Sequence, residues 1–138
     1  MSEKEYAENC FVCGEKNPIG LHLKTKNVNG KSHMELDVHE NLSGFDGLMH
    51  GGFICMLLDE VMFHAVESSG ETTLTLNINT NFVNPALIGH HLVVEAWIAN
   101  RQGRKIYVEG KVTDGDKVVA DAKGLYLRVD MDSFLKTI

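Results

Sequence analysis

One stretch of this chain constrains its fold more than any other. From Phe53 to Glu67 the sequence runs fifteen residues without glycine or proline and is rich in Leu and Met. That composition predicts a helix. Its apolar residues cover most of the circumference, the mark of a helix buried in a core rather than laid on a surface. The flanking segments read as strands. Gly20 to Val28 alternates loosely, with Leu21 and Leu23 on one face. After the turn signal Asn29-Gly30, Met34, Leu36 and Val38 alternate with polar residues and close a hairpin. Residues 40–52 hold four glycines and little periodicity, which predicts a loop. Four further strands are expected over Thr72–Val83, Leu92–Ala99, Lys105–Thr113 and Lys117–Val129, with turns at Gln102-Gly103 and Asp114-Gly115. Two strands, one buried helix and four strands describe an α+β layer. A six-stranded antiparallel sheet wrapped around one central helix fits that order.

At 138 residues, with no repeat or low-complexity segment, the chain is expected to form one domain over 1–138, with 1–19 as an N-terminal arm. The formal net charge of −6 argues against a general nucleic-acid binder. It leaves room for a local basic spot facing a phosphorylated ligand. The opening MSEKEYAEN is acidic and polar, unlike a secretory signal. The longest apolar run, Phe53 to Leu58, is too short to span a bilayer. Three cysteines, an odd number, suit a reducing compartment. The expectation is a cytoplasmic protein with no membrane partner.

Chemistry concentrates in His50-Gly51-Gly52-Phe53-Ile54-Cys55-Met56-Leu57-Leu58-Asp59-Glu60. Gly51 and Gly52 lead into the helix and let a ligand approach the backbone closely. The first amides of a helix lack intrahelical partners, so a polarised carbonyl or oxyanion is stabilised there. The plainer alternative is a flexible loop joining strand to helix. Asp59 follows six apolar residues in mid-helix, where aspartate is a poor helix former and an unpaired buried carboxylate is costly. Glu60, His64 and Glu67 fall at i, i+4 and i+7 and form one ordinary polar stripe, facing water or another dimer. Asp59 lies about 100° from that stripe. It is either a buried carboxylate satisfied by threonine or asparagine groups of the next strand, or a general base or nucleophile. Gly51 and Asp59 are eight residues apart, about 12 Å of helical rise. A carboxylate that attacks, or activates water, must come within about 3 Å of its target. One helix therefore cannot bring both groups to one carbonyl. Two antiparallel helices across a two-fold axis can, which predicts a homodimer with two equivalent sites.

The stretch HGGFICMLLDE resembles the signature of hotdog-fold thioesterases, in the phenylacetate-pathway thioesterase-like branch of the 4-hydroxybenzoyl-CoA thioesterase superfamily. The resemblance covers roughly residues 18–129. It is strongest from His50 to Asp59, and NFVNPALIGHHLVVEA adds the strand, proline and strand order of the family. It implies the hotdog fold, Asp59 as catalytic carboxylate, the Gly51 N–H as polariser of the thioester carbonyl, and His50 as a seat for that carbonyl or the leaving thiol. Many members carry Asn six positions before the motif His; here that position is Gly44, with Asn41 nearby.

Other residues have competing readings. Cys10 and Cys13 form a Cys-x-x-Cys pair. A zinc site needs two more ligands, and His22 and His33 show no metal spacing, so no metal is expected. The run CFVCGEKNPIGLHL resembles a segment that lines the acyl end of the site in some relatives, and packing is the reading favoured here. Cys55 reads as a small core residue. Arg101, Arg104 and Lys105 surround a glycine turn, either as a solvated hairpin tip or as partners for the phosphates of coenzyme A. His90 and His91 read as surface residues. Asn77, Asn79 and Asn81 share one face of a strand, where they either line a polar part of the site or bond Asp59 and the loops. The sequence thus predicts hydrolysis of an acyl-CoA thioester, with Asp59 as base toward water or as nucleophile forming a mixed anhydride. Coenzyme A enters as part of the substrate and no cofactor is expected. Gly52, Asn81, Arg101, Arg104 and Lys105 are the candidate substrate-binding residues. The expected assembly is a homodimer, pairing into a homotetramer. The alternatives are a non-catalytic acyl-CoA-binding protein of the same fold and a structural dimerisation module.

Overall fold

The computed structural model describes residues 7–138. Six antiparallel strands form one sheet: β1 (Lys26–Val28), β2 (Lys31–Asp37), β3 (Thr73–Phe82), β4 (His91–Gln102), β5 (Lys105–Asp114) and β6 (Lys117–Arg128). Helix α1 (Gly51–Glu67) packs against every strand, and a short helix, α2 (Met131–Leu135), follows the sheet. The strand order is β1-β2-β4-β5-β6-β3. The hairpins β1–β2, β4–β5 and β5–β6 are local. The β2–β4 and β3–β6 pairs are made across the chain, and they bring β3 to one edge. Asn29 and Gly30 both have positive φ (46° and 81°), the conformation a two-residue hairpin turn requires, and Val28 pairs with Lys31 across it.

The core forms where the helical and strand periods meet. Ile54, Leu57, Leu58, Val61, Met62, Ala65 and Val66 are buried, a stripe at helical spacing. They meet Leu92 and Val94 of β4, Ile106, Val108 and Val112 of β5, and Ala120, Ala122 and Tyr126 of β6. Two glycines let the helix sit close. A Cβ on Gly110 would lie 3.2 Å from Leu58 Cδ2, and one on Gly124 would lie 2.7 Å from Tyr126 Cε2 and 3.1 Å from Met62 Sδ.

Three expectations change. The helix is not buried all round: Gly52 and Met56 are exposed, and Gly51, Cys55 and Asp59 are half-buried. Its apolar residues outside the stripe mislead a reading of the circumference. The first strand is three residues long rather than nine, because Leu21 and Leu23 donate their amides to the Phe11 and Val12 carbonyls (2.8 Å each) instead of joining the sheet. His22, between them, has φ 52°, which interrupts an extended strand. Helix α2 lies beyond the expected elements and is capped by the Asp130 carboxylate, which accepts from the Asp132 and Ser133 amides. Among the described residues no helix is long and apolar enough to cross a membrane.

Close packing at Gly124 is testable. Gly124→Ala should destabilise the protein by about 1–3 kcal/mol, the usual range for overpacking. This should be read as a lower urea midpoint with an unchanged slope. A wild-type midpoint would show that the helix is not held at this distance.

Candidate active site

The start of α1 is built by its own cap. His50 is the N-cap, and its Nδ1 accepts from the Gly52 N–H at 2.8 Å. The Phe53 N–H donates to the His50 carbonyl at 3.1 Å. Among the described residues no hydrogen bond uses the Gly51 amide. A neutral imidazole that accepts at Nδ1 carries its proton on Nε2, so His50, which is exposed, keeps one ring N–H as a donor. A Cβ at position 52 would crowd the cap, lying 3.0 Å from His50 Nδ1. Gly44, where relatives often carry Asn, lies against His50, and a Cβ there would come 3.1 Å from His50 Cα.

Asp59 lies two turns further on, on the half-exposed side of α1. Its Oδ1 accepts from the Tyr126 hydroxyl at 2.7 Å and from Thr75 Oγ1 at 2.8 Å. Thr75 and Tyr126 oppose each other across β3 and β6, so both donors come from one rung of the sheet. Burial, with the Asp59 charge beside it, pushes the Tyr126 hydroxyl well above the ordinary tyrosine range. It therefore remains a donor. Both bonds fall on Oδ1, and among the described residues none falls on Oδ2. The threonine contact was anticipated as one reading of Asp59; Tyr126 was not. The available signal was a single tyrosine at an inward position of β6, in register with Ala120, Ala122 and Gly124.

The Glu60, His64 and Glu67 stripe is not an ordinary wetted face. Its side chains are 12%, 12% and 23% exposed. The N-terminal segment lies over it and brings Cys10 Sγ within 3.5 Å of Glu60 Oε2. His64 sits between two carboxylates, with Nε2 2.9 Å from Glu60 Oε1 and Nδ1 3.1 Å from Glu67 Oε2. Burial opposes the charged His64 ring, but bonds to Cys13, Glu60 and Glu67 outweigh it and raise its pKa. Burial likewise opposes the Glu60 carboxylate, and His64 and Cys13 hold its pKa below the usual range. His64 pulls the Cys13 thiol down, yet burial and Glu60 prevail and raise it. His22 bonds the Asn17 carbonyl, and His33 bonds Glu35, so neither joins the cysteines.

The remaining candidates lie elsewhere. Asn81 donates to Asp121 Oδ1 (2.9 Å), and Asn79 donates to Asn77; neither bond reaches Asp59. Arg101 is paired with Glu71 and bonds Ser69, and Arg104 donates to the Arg128 carbonyl at 3.1 and 3.2 Å. Arg101 thereby ties this turn to residues just past the C-terminal end of α1. Lys105 has no ion pair among the described residues. Cys55 is half-buried against Thr80. His90 and His91 are on the surface, paired with Asp114 and with Glu35 and Asp37 respectively.

A long helix in a curved antiparallel sheet, with an open amide at the helix start and a held carboxylate in its middle, defines a hotdog protein with a candidate acyl-transfer site. The family model of the thioesterase superfamily matches residues 46–120, more than half of the sequence, and the chain belongs to that superfamily. It is similar to the bovine (Bos taurus) acyl-coenzyme A thioesterase THEM4, 28% identical over 91 residues, which are 64% of this chain and 37% of that protein. The chain thus spans well under half the length of such relatives. Among solved structures it resembles the thioesterase superfamily protein RHA08564, with TM-score 0.81, 23% identity, and coverage of 87% of this chain and 60% of that one. It also resembles smu.793 from Streptococcus mutans UA159, solved bound to acetyl CoA, with TM-score 0.74, 20% identity, and coverage of 78% and 88%.

The Tyr126 bond to Asp59 can be measured by a double-mutant cycle of Tyr126→Phe and Asp59→Asn in urea unfolding. A coupling of about 1 kcal/mol is expected for one hydrogen bond to a charged group at a half-exposed site. Additivity within about 0.3 kcal/mol would show that the bond carries no weight.

Proposed function

We propose that this chain hydrolyses an acyl-CoA thioester to the free acid and coenzyme A, at sites shared between two copies of the chain. The observation that carries this reading is the pairing of a carboxylate held on one oxygen by Tyr126 and Thr75 with an unused amide at Gly51 on the same helix. The thioester carbonyl oxygen accepts from the Gly51 N–H, which meets the charge that builds there as the carbonyl carbon is attacked. Asp59 Oδ2 either takes a proton from the attacking water or adds to the carbonyl carbon itself, giving an anhydride that water then cleaves. The C–S bond breaks and the sulfur leaves as the coenzyme A thiol. His50 Nε2–H faces the region where the carbonyl or the departing sulfur would lie. Tyr126 and Thr75 act by positioning the carboxylate.

Two copies are needed because the eight-residue spacing holds Gly51 and Asp59 about 12 Å apart within one chain. The surface of a single chain supports this. The outer edge of β3 is unpaired among the described residues, and Leu76 and Phe82 on it and Val83 just past it are each more than half exposed. On α1 Met56 is exposed, and Gly51 and Asp59 are half-buried. A two-fold axis there sets each helix start beside the other's middle. For the acyl group, a groove of about 590 Å³ opens beside the helix start between Phe11, Leu21, Leu23, Leu36, Leu42 and Phe53. For the nucleotide end, Lys105 and Arg104 on the β4–β5 turn are the cations we assign to phosphate contact. Arg101 is more fully committed to Glu71 and Ser69. The acyl-CoA thioesterase name of THEM4 and the acetyl CoA bound to smu.793 support the substrate class.

Asp59→Asn should stay folded and lose at least about two orders of magnitude in kcat. The shared site is tested by mixing it with a second inactive variant, Gly51→Val. In a mixed dimer one site joins an intact Gly51 to an intact Asp59, and the other carries both lesions. With complete exchange half the dimers are mixed, so about a quarter of wild-type activity should return. No recovery despite proven exchange would place the whole site within one chain. Near-normal turnover by Asp59→Asn would overturn the carboxylate's role.

Phosphate contact has its own readout. Arg104→Gln with Lys105→Gln should raise KM for acyl-CoA much more than it lowers kcat. It should leave a pantetheine thioester, which lacks the nucleotide, unchanged. Equal losses on both substrates would remove the basic turn from the site.

A further inference from the structure

The cluster beneath the N-terminal segment has no task in thioester hydrolysis, yet its side chains are of the kinds that ligate metals. Cys10 Sγ, Cys13 Sγ and a carboxylate oxygen of Glu60 all lie within 4.8 Å of one another. Their presentation is built in. The Gly14 N–H closes a turn onto the Cys10 carbonyl at 2.9 Å, and Lys16 N–H bonds the Glu8 carbonyl at 2.9 Å. Gly14 itself is sterically required, since a Cβ there would lie 2.4 Å from Cys10 N and 2.5 Å from the Glu8 oxygen. The turn aims both sulfurs at α1, where Glu60 and His64 stand one turn apart.

We propose that Cys10, Cys13, Glu60 and His64 form a four-coordinate site for zinc, oriented by Glu67, which fastens the N-terminal segment onto α1.

The geometry fits the ion. With metal–sulfur bonds of about 2.3 Å and metal–oxygen bonds of about 2.0 Å, a tetrahedral site places sulfur and oxygen about 3.5 Å apart. Cys10 Sγ stands 3.5 and 3.7 Å from the two Glu60 oxygens. The two sulfurs would have to draw together by about 1 Å at most. His64 lies outside that trio, and a shift of its ring would bring in Nε2, which stands 2.9 Å from Glu60 Oε1, as the fourth ligand. Its Nδ1 is 3.1 Å from Glu67 Oε2, outside hydrogen-bond geometry, and a small turn of the ring would form the carboxylate–histidine pairing that fixes ring orientation and raises ligand basicity at metal centres. A solvent-open groove of about 710 Å³, lined by Glu8, Cys13, Lys16, His64 and Glu67, gives an ion a way in. Two soft thiolates favour zinc over magnesium or calcium, and four protein ligands leave no open position, so the site is structural. On binding, each thiol gives its proton to solvent. Imidazolium His64 loses the Nε2 proton it shares with Glu60 and keeps Nδ1–H for Glu67. The consequence reaches the apolar groove, because Phe11 lies between the two cysteines and stacks on Phe53 with ring centroids 6.4 Å apart.

Cobalt(II) provides a direct test, since it adopts the same coordination and is coloured. The fully reduced, metal-free wild-type chain, shown to be folded by circular dichroism, is titrated with cobalt alone, then with zinc as competitor. About one equivalent per chain should bind. It should give the visible bands of a tetrahedral ion and a near-ultraviolet thiolate-to-cobalt charge-transfer band, both erased by zinc. Cys13→Ser should weaken the charge-transfer band, and Cys10→Ser with Cys13→Ser should abolish it. Glu67→Gln should weaken binding by about 10- to 100-fold without changing the band shape. His22→Ala and His33→Ala should bind as wild type. A reduced, folded wild-type chain that develops no charge-transfer band would overturn the proposal, whatever the variants do. So would a band that survives when both cysteines are replaced by serine.

Discussion

The burial of one stripe of α1 against the sheet is the contact on which the rest of the molecule depends. Seven residues from Ile54 to Val66 lie on the concave face of the strands, and they can do so because β6 offers Ala120, Ala122 and Gly124 beneath them. Small residues there trade side-chain area for closeness, and the helix gains dispersion contacts that a rim of larger side chains would prevent. Once that stripe is seated, the rotation of the helix is set, and so is the direction of every other side chain on it.

Neighbouring residues are thereby sent to different chemistry. Asp59 and Glu60 are consecutive, but about 100° of helical rotation separates them. Asp59 emerges toward the β3–β6 rung, where a buried tyrosine and an exposed threonine hold one of its oxygens. Glu60 emerges beneath the N-terminal segment, among two thiols and an imidazole. Tyr126 links core and site directly. Its ring fills the space beside Gly124, and its hydroxyl ends on the carboxylate. A change in how α1 packs would be felt at Asp59 through that one side chain.

The N-terminal segment also reaches both regions. Its carbonyls at Phe11 and Val12 capture the amides of Leu21 and Leu23, and its thiols cover the polar stripe of the helix. Phe11 meanwhile forms part of the wall of the apolar groove beside Phe53. The segment packs as the sequence suggests, but what it packs over is a set of half-buried polar groups rather than the apolar core alone.

Local periodicity was enough to read the helix, the last four strands, the Asn29-Gly30 turn and the wide spacing of Gly51 from Asp59, because each depends only on residues near in sequence. The resemblance at HGGFICMLLDE added the fold name. Non-local pairing lay beyond that reading. Nothing within β3 says that its partner is β6, and the irregularity between Thr75 and Asn77 shifts the register there. Thr75, rather than the alternating asparagines, therefore meets Asp59. The same limit hid Tyr126, which is an unremarked aromatic until β6 is laid beside β3, and it shortened the first strand, whose Leu21 and Leu23 amides found carbonyls ten and eleven residues upstream. It also hid the neighbours of the cysteine pair, since Glu60 and His64 are about fifty residues from Cys10 and Cys13 in sequence and come near them only after folding. Sequence patterning determined the elements and the faces they bury, because burial of apolar surface follows a local repeat. The tertiary structure decided which polar groups meet, because a hydrogen bond or a metal ligand needs a partner at one distance, and register alone supplies it.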